Sequence, residues 1–146
     1  MVVNDNVLGK LSYDSYWKRG YSIDFFNDSG SVELIIQTFD DDEITDNQRD
    51  TFTQFEANKD KIFRDVEEAL FEYYNESFRD TGLMKEAADL KNVINLRKVK
   101  IMSTDDGEDR ELGFIFDASF DPELGVGVLV TNETEIEVDV QDIVLG

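Results

Sequence analysis

One apolar stripe with helical spacing runs through the middle of this sequence and constrains the fold more than any other feature. Its members are Phe52, Phe55, Ile62, Phe63, Val66, Ala69, Leu70, Tyr73 and Tyr74. Thr45 and Gln48 fit a capping box at its start, and Asp46 suits the positive end of a helix dipole. The spacing predicts one helix of about eight turns, from Thr45 to within 75–82, in which Lys59 interrupts the stripe and extends its ammonium to water. Such a one-sided helix needs a sheet or another helix to cover it.

Strand patterns precede and follow this helix in the sequence, and the sheet that these strands form can cover its apolar side. Turn residues at Arg19-Gly20 and Asn27–Gly30 separate the runs that precede the helix, and a second, short helix is predicted at Asp89–Leu96. The predicted strands are Ser12–Trp17, Tyr21–Phe26, Ser31–Phe39, a run through Val99 and Ile101, Glu111–Ala118, Gly125–Val130 and Glu135–Val140. This order predicts an α+β fold: a single domain over 1–146, with an antiparallel β-sheet (N-terminal meander plus C-terminal strands) packed on one long central helix and the short one.

The absence of two residue types narrows the chemistry of the chain. There is no Cys, which excludes disulfides, thiolate nucleophiles and cysteine metal sites, and no His, which removes the usual general base near neutral pH. The Asp-rich stretches do not follow the EF-hand pattern, because loop position 5 from Asp40 is Ile44 and loop position 3 from Asp105 is Gly107. We therefore expect no catalytic site, no cofactor and no bound metal.

The net charge of −20 limits the classes of molecule that this chain can bind. Proteins that bind nucleic acid meet its phosphates with Lys and Arg clusters, so nucleic acid is an unsuitable partner. The sequence has no apolar run long enough for a membrane helix and its start does not fit a signal peptide, so a cytoplasmic location and no membrane contact are expected. The oligomeric state stays open between a monomer and a weak dimer.

The negative charge is uneven along the chain. Residues 103–146 hold 13 acidic and 1 basic residue, whereas residues 81–102 hold 2 acidic and 5 basic residues. Three acidic clusters result: Asp40, Asp41, Asp42 and Glu43; then Asp105, Asp106, Glu108, Asp109 and Glu111; then Glu133, Glu135, Glu137 and Asp139. Each could be a solvated surface or a binding face. The third could also be neutralised internally by Arg97, Lys98 and Lys100.

Two stretches resemble a family of uncharacterised bacterial proteins. The run from Phe114 to Val128, with Phe120-Asp121 and Glu123 in its turn, resembles the C-terminal motif of that family, which closes on Gln141-Asp142. The run from Ile44 to Tyr74 is similar to its long helix, and the family usually has Trp at the position of Phe120. Some members are suspected immunity proteins, encoded beside secreted polymorphic toxins. The resemblance therefore implies a non-catalytic protein that binds a toxin.

Resemblance and charge together favour an acidic protein-binding module, with a basic, nuclease-like toxin as the partner. Aromatic anchors would be Phe120 or Trp17, because binding hot spots favour aromatic residues. The candidate partner-binding residues are the first two acidic clusters, three members of the third (Glu133, Glu135 and Glu137), and Phe120, Asp121 and Glu123. The alternatives are a housekeeping or structural domain whose acidity serves solubility, and a small-molecule binder.

A net charge of this size predicts that moderate salt stabilises the isolated protein, because it screens repulsion between like charges. We expect the melting temperature to rise between low ionic strength and about 0.15 M sodium chloride, where the Debye length is about 8 Å. Chloride is preferred to sulfate, since sulfate also strengthens apolar burial. A melting temperature that is flat or falls over this range would contradict the prediction.

Overall fold

The computed structural model describes residues 1–25, 28–39 and 42–145, and its centre is one eight-stranded sheet whose strands lie side by side in chain order. The strands are β1 (Val2–Asp5), β2 (Gly9–Asp14), β3 (Tyr16–Phe25), β4 (Asp28–Ile36), β5 (Ile94–Ile101), β6 (Glu111–Ala118), β7 (Val126–Thr131) and β8 (Glu135–Asp139). The helices are α1 (Asp46–Ala57), α2 (Lys59–Ser77), α3 (Leu90–Val93) and α4 (Asp142–Leu145), with 3-10 turns at Arg79–Thr81 and Ala87–Asp89. The fold is therefore mixed α and β, and strands form the larger part.

All neighbouring strands are antiparallel except β4 and β5, which are parallel. A parallel pair cannot be joined by a hairpin, so the chain crosses from the end of β4 to the start of β5 through α1, α2 and α3. This crossover covers one face of the sheet. The predicted antiparallel arrangement holds for six of the seven strand pairings.

The main core lies between this face and the crossover helices. Phe114 in β6 is fully buried, and its ring centroid lies 5.9 Å from both Phe55 of α1 and Phe63 of α2. Leu34 of β4 and Val99 of β5, which pair across the parallel ladder, are also fully buried. The apolar stripe found in the sequence therefore covers the centre of the sheet.

The predicted single long helix is wrong in one respect, because it is interrupted at Asn58. The backbone there has φ −118° and ψ 18°, which separates α1 from α2. The Asn58 side chain donates to the carbonyl of Gln54 at 2.9 Å, a local bond of the kind by which Asn competes with helical structure. Lys59 ends over the rings of Tyr21 and Phe55, at 4.8 and 5.6 Å, so its ammonium lies on aromatic faces.

Several predicted boundaries in the N-terminal half are also wrong. The predicted strand Ser12–Trp17 is two strands, because Ser15 has a φ of +70° and turns the chain between β2 and β3. The predicted turn at Arg19-Gly20 lies inside β3, and Asp28–Gly30 belong to β4. β1 was not predicted, and residues 26 and 27 lie outside the described residues.

Two helix predictions near the C-terminal strands also need correction. Only Leu90–Val93 of the predicted helix Asp89–Leu96 is α-helical, after a 3-10 turn, because Ile94 already begins β5. The short helix α4 was not predicted at all. Four residues give too few apolar repeats for a periodic pattern to be visible.

Helix α4 packs on the face of the sheet opposite the crossover. A Cβ added to Gly113 would lie 3.0 Å from Val144 Cγ1, and one added to Gly127 would lie 2.8 Å from Ile143 Cγ2. Buried Lys100 donates from Nζ to the carbonyls of Val144 and Leu145, at 2.8 and 3.3 Å. The lysine thus satisfies carbonyls at the C-terminal end of α4, although burial lowers its own pKa.

The close approach of α4 to Gly127 predicts a clear effect of a single methyl group. We expect Gly127→Ala to lower the free energy of unfolding by about 1–3 kcal/mol, because the added carbon overlaps Ile143 and the Val140 carbonyl. Gly30→Ala in β4 is the control, since among the described residues no heavy atom beyond its chain neighbours would lie within 4 Å of the added Cβ. Urea unfolding would measure both, and equal losses in the two variants would contradict the prediction.

Candidate protein-binding surface

The topology brings the loops that carry the acidic clusters to one end of the sheet. The parallel strands β4 and β5 both end there, so the loops that follow Ile36 and Ile101 leave side by side. Strand β6 begins at the same end, and the turn between β7 and β8 lies there too, since Glu111 pairs with Thr131 and Thr131 with Glu135. Clusters that are far apart in the sequence are therefore neighbours in the fold.

The N-terminus of α1 lies between these loops and joins them. The predicted capping box is confirmed: Thr45 Oγ1 accepts from the Gln48 amide at 3.1 Å, and Gln48 Oε1 accepts from the Thr45 amide at 3.1 Å. Thr45 Oγ1 also donates to the carbonyl of Thr104 at 2.8 Å. The cap therefore fixes the loop after β5 as well as the start of the helix.

Gln48 is the central residue of this junction. Only 1% of it is exposed, and its Nε2 donates to the carbonyls of Gln37 at 2.6 Å and Met102 at 3.2 Å. These carbonyls belong to the loop after β4 and the loop after β5. A buried amide with its donors and acceptor all paired holds the two loops in one arrangement.

The second acidic cluster takes part in the same network. Asp106 Oδ1 accepts from the backbone amide of Asn47 at 2.8 Å, in the first turn of α1, where a carboxylate is favoured by the helix dipole. Asn47 Nδ2 donates to Thr104 Oγ1 at 2.7 Å and to the carbonyl of Asp109 at 3.3 Å. At least one member of this cluster therefore has a structural role.

The acidic residues at this end are mostly exposed, although Asp106 and Glu108 accept from backbone amides and Asp109 accepts from Asn132 Nδ2. We call the exposed set the acidic rim; it consists of Asp42, Glu43, Asp46, Asp105, Asp106, Glu108 and Asp109. Within the described residues, only Asp46 of this set forms an ion pair, with Arg49 at 2.8 Å. A cleft of about 240 Å³ is lined by Asp42 and Glu43 of the first cluster together with Ser103 and Asp105.

Phe39 is a large, exposed apolar side chain beside the rim, and it was missed as a site residue. Its side chain is 52% exposed, and its carbonyl accepts from the Asp42 amide at 3.0 Å, which places it one turn from the first cluster. In the sequence it ends a predicted strand, and an aromatic residue in a strand pattern usually faces the core. The sequence signal that could have identified Phe39 as a site residue is its position directly before the run of acidic residues.

Glu133 and Glu111 lie at the same end but are less available to a partner. Glu133 receives two bonds from Arg110, at 2.8 and 2.9 Å, and this pairing raises the pKa of the Arg110 guanidinium. Glu111 is partly buried, and burial together with the neighbouring Asp109 and Glu108 carboxylates raises its pKa. These two residues support the rim without extending its exposed negative surface.

The acidic ladder of β8 is not neutralised by the basic residues proposed for it. Arg97 pairs with Asp117 at 2.7 Å, Lys98 lies 3.9 Å from Glu33, and Lys100 bonds the end of α4. Glu135, Glu137 and Asp139 are exposed and alternate along the edge strand of the sheet. Only Glu135 lies near the rim.

The remaining predicted residues do not join this surface. Asp121 and Glu123 lie in the loop between β6 and β7, at the opposite end of the sheet. Phe120 is buried, with ring centroids 4.7 Å from Phe78 and 5.3 Å from Tyr74, so we do not keep it as an exposed anchor. Asp40 and Asp41 lie outside the described residues.

Trp17, the other proposed anchor, lies at the same end of the sheet, opposite Ile36 of β4, but it is packed against the core. It is partly buried on β3 and packs edge-on against Tyr13 of β2, with ring centroids 5.0 Å apart.

Across residues 1–25, 28–39 and 42–145, no three acidic side chains converge in a way that could hold a metal ion. In the same ranges, no helix combines the length and the apolar character needed to cross a membrane.

The contact between Asp106 and α1 predicts different effects for two adjacent acids. We expect Asp106→Ala to lower the free energy of unfolding by about 1 kcal/mol, because the Asn47 amide loses its acceptor. Asp105→Ala is the control, since the Asp105 carboxylate is exposed and bonds no group among the described residues. Urea unfolding and hydrogen exchange at the Asn47 amide would measure the difference. Unchanged protection of that amide in Asp106→Ala would contradict it.

Comparison with known proteins gives a family and no functional relative. No match was found among curated proteins or among solved structures. The family model described as a domain of unknown function, DUF6985, matches residues 7–145, which span β2 to α4. The chain therefore belongs to the DUF6985 family.

Proposed function

We propose that this chain is a non-catalytic module that binds a basic protein through the acidic rim. The observation that carries the proposal is the convergence of two separate acidic clusters, at 42–43 and 105–109, around the N-terminus of α1. A chain that needed acidity only for solubility would have no reason to hold these clusters on ordered loops that meet.

The order of these loops favours binding. Gln48, Asn47 and Thr45 tie both loops to α1 through hydrogen bonds of 2.6–3.3 Å. A surface that is already ordered loses less conformational entropy when a partner binds. The rim is therefore suited to rapid and specific docking without rearrangement.

The charge and the exposed aromatic residue of the surface indicate the chemistry of the partner. Exposed carboxylates attract a surface rich in Lys and Arg, and such steering raises association rates to about 10⁸–10⁹ M⁻¹s⁻¹ at low salt. Phe39 offers an apolar anchor beside these charges, in place of Phe120. The expected partner has a basic surface with an apolar pocket or patch next to it.

In its specific form, the proposal is an immunity protein that neutralises a basic, nuclease-like bacterial toxin in the cytoplasm. The resemblance of the C-terminal motif to proteins suspected of this role supports the specific form. A nuclease active site is basic because it holds phosphates, so an acidic protein could cover it. The absence of His and Cys from the sequence fits a protein that acts by occlusion rather than by chemistry.

The test compares two variants that remove the same number of negative charges. The rim variant carries Asp42→Asn, Glu43→Gln, Asp105→Asn and Glu108→Gln. The control variant carries Asp60→Asn, Glu68→Gln, Glu72→Gln and Glu76→Gln, on the exposed side of α2. The probe is the toxin-like protein encoded beside this gene, with binding measured by calorimetry at several salt concentrations.

We expect the rim variant to weaken binding at least tenfold and the control variant to change it much less. Binding by the unmodified protein should weaken as salt rises. Phe39→Ala should increase the dissociation rate without changing the salt dependence, because it removes an uncharged contact. Equal binding by both charge variants would overturn the rim as the binding surface, and the lack of any toxin-like neighbouring gene would contradict the immunity role.

A further inference from the structure

The two edges of the sheet differ in charge. Strand β8 forms one edge and carries three exposed carboxylates, on Glu135, Glu137 and Asp139. Strand β1 forms the other edge, and Asp5 is its only charged side chain. Charged residues along an edge prevent other strands from pairing with it, and β1 lacks this protection.

The register of β1 on β2 shows which of its backbone groups face outward. The Tyr13 amide donates to the Met1 carbonyl at 2.9 Å, and Val3 pairs with Leu11. In an antiparallel pair, hydrogen-bonded positions alternate with positions whose backbone groups point away. Val2 and Asn4 are therefore the β1 residues whose N–H and C=O groups point away from the sheet.

We propose that β1 binds β1 of a second copy of this chain, antiparallel and across a two-fold axis at Val3. In this register Val2 of each copy lies opposite Asn4 of the other. Each such pair exchanges two hydrogen bonds, so all four outward-facing groups of each strand are satisfied. The sheets of the two copies become continuous.

The choice of a second copy rests first on self-complementarity. A two-fold contact needs the same patch on both partners to match itself, and the outward groups of β1 do so because Val2 and Asn4 are two residues apart. The side chains are compatible as well. Val2 is 56% exposed and Asn4 is exposed and uncharged, so no like charges meet where these residues lie opposite each other.

The choice rests secondly on where the negative charge lies. The Asp5 carboxylate is already paired with Arg49 Nε at 2.9 Å and accepts from the amides of Val7 and Leu8. The edge at β8 is seven strand spacings away, about 34 Å at about 4.8 Å each, which exceeds the Debye length of about 8 Å at 0.15 M salt. At this ionic strength the β8 carboxylates of two copies therefore repel each other little. Asp46 of the acidic rim lies closer to β1, because it shares Arg49 with Asp5, but its carboxylate is itself paired with that arginine at 2.8 Å.

A contact of one short strand buries little area, so the dimer should be weak and depend on protein concentration. Its salt dependence should be opposite to that of basic-partner binding. Salt screens the repulsion between two chains of charge −20, so the dimer should strengthen as sodium chloride rises from about 0.01 to about 0.15 M. This proposal does not depend on the proposed function.

The test uses proline on the outward-facing side of the edge. Asn4→Pro removes an outward N–H and keeps the bonds of β1 to β2, because proline is tolerated on an edge strand where its nitrogen faces solvent. Asn6→Pro is the matched control in the adjacent turn, where the Asn6 amide donates no hydrogen bond within the described residues. Analytical ultracentrifugation over a wide range of concentration, in about 0.15 M salt, gives the mass of each protein.

We expect the unmodified protein and Asn6→Pro to dimerise as concentration rises, with at least a tenfold weaker dimer in Asn4→Pro. Val2→Lys provides a second variant if Asn4→Pro is poorly folded by circular dichroism, since Lys is a common protector of sheet edges. In the unmodified protein, hydrogen exchange at the Val2 and Asn4 amides should slow at high concentration. A protein that stays monomeric throughout, a dimer that persists in both edge variants, or unprotected Val2 and Asn4 amides in the dimer would each overturn the proposal.

Discussion

The parallel pairing of β4 with β5 is the constraint on which the rest of the structure depends. Because a hairpin cannot join parallel strands, the chain must leave the sheet at Ile36 and return at Ile94, and the helices between them cover one face. The same pairing makes two loops leave from one end of the sheet. The main core and the acidic rim therefore both follow from one pair of strands.

Much of this architecture can be predicted from the sequence. The capping box at Thr45 and Gln48 and the stripe from Phe52 to Tyr74 are local patterns, and both appear in the structure. The break at Asn58 escaped prediction because Asn is tolerated within helices, and the stripe continues on both sides of it. The glycine at position 20 suggested a turn, but β3 continues through it because the pairing with β4 favours an extended chain there.

The acidic surface shows a different limit of sequence reasoning. The clusters were visible as runs of Asp and Glu, but a run does not reveal which carboxylates already form hydrogen bonds or ion pairs within the protein. Asp106 bonds the start of α1 and Glu133 holds Arg110, whereas Asp42 and Glu43 are exposed. Phe120, which was expected to be an exposed anchor, is buried, whereas Phe39 at the end of a predicted strand is exposed. Burial depends on whether a helix passes over the residue, and this is a property of the tertiary structure. Only the parallel pairing of β4 with β5 reveals that the clusters meet.

The position of α4 gives the sheet an uneven distribution of local stability. In β6 and β7, runs of consecutive residues are buried, which is typical of strands covered on both faces, by crossover helices on one side and α4 on the other. Strands β1 and β2 have exposed residues along their length. Opening of the backbone should therefore begin at the N-terminal edge and reach β6 and β7 later, because those two strands are covered on both faces.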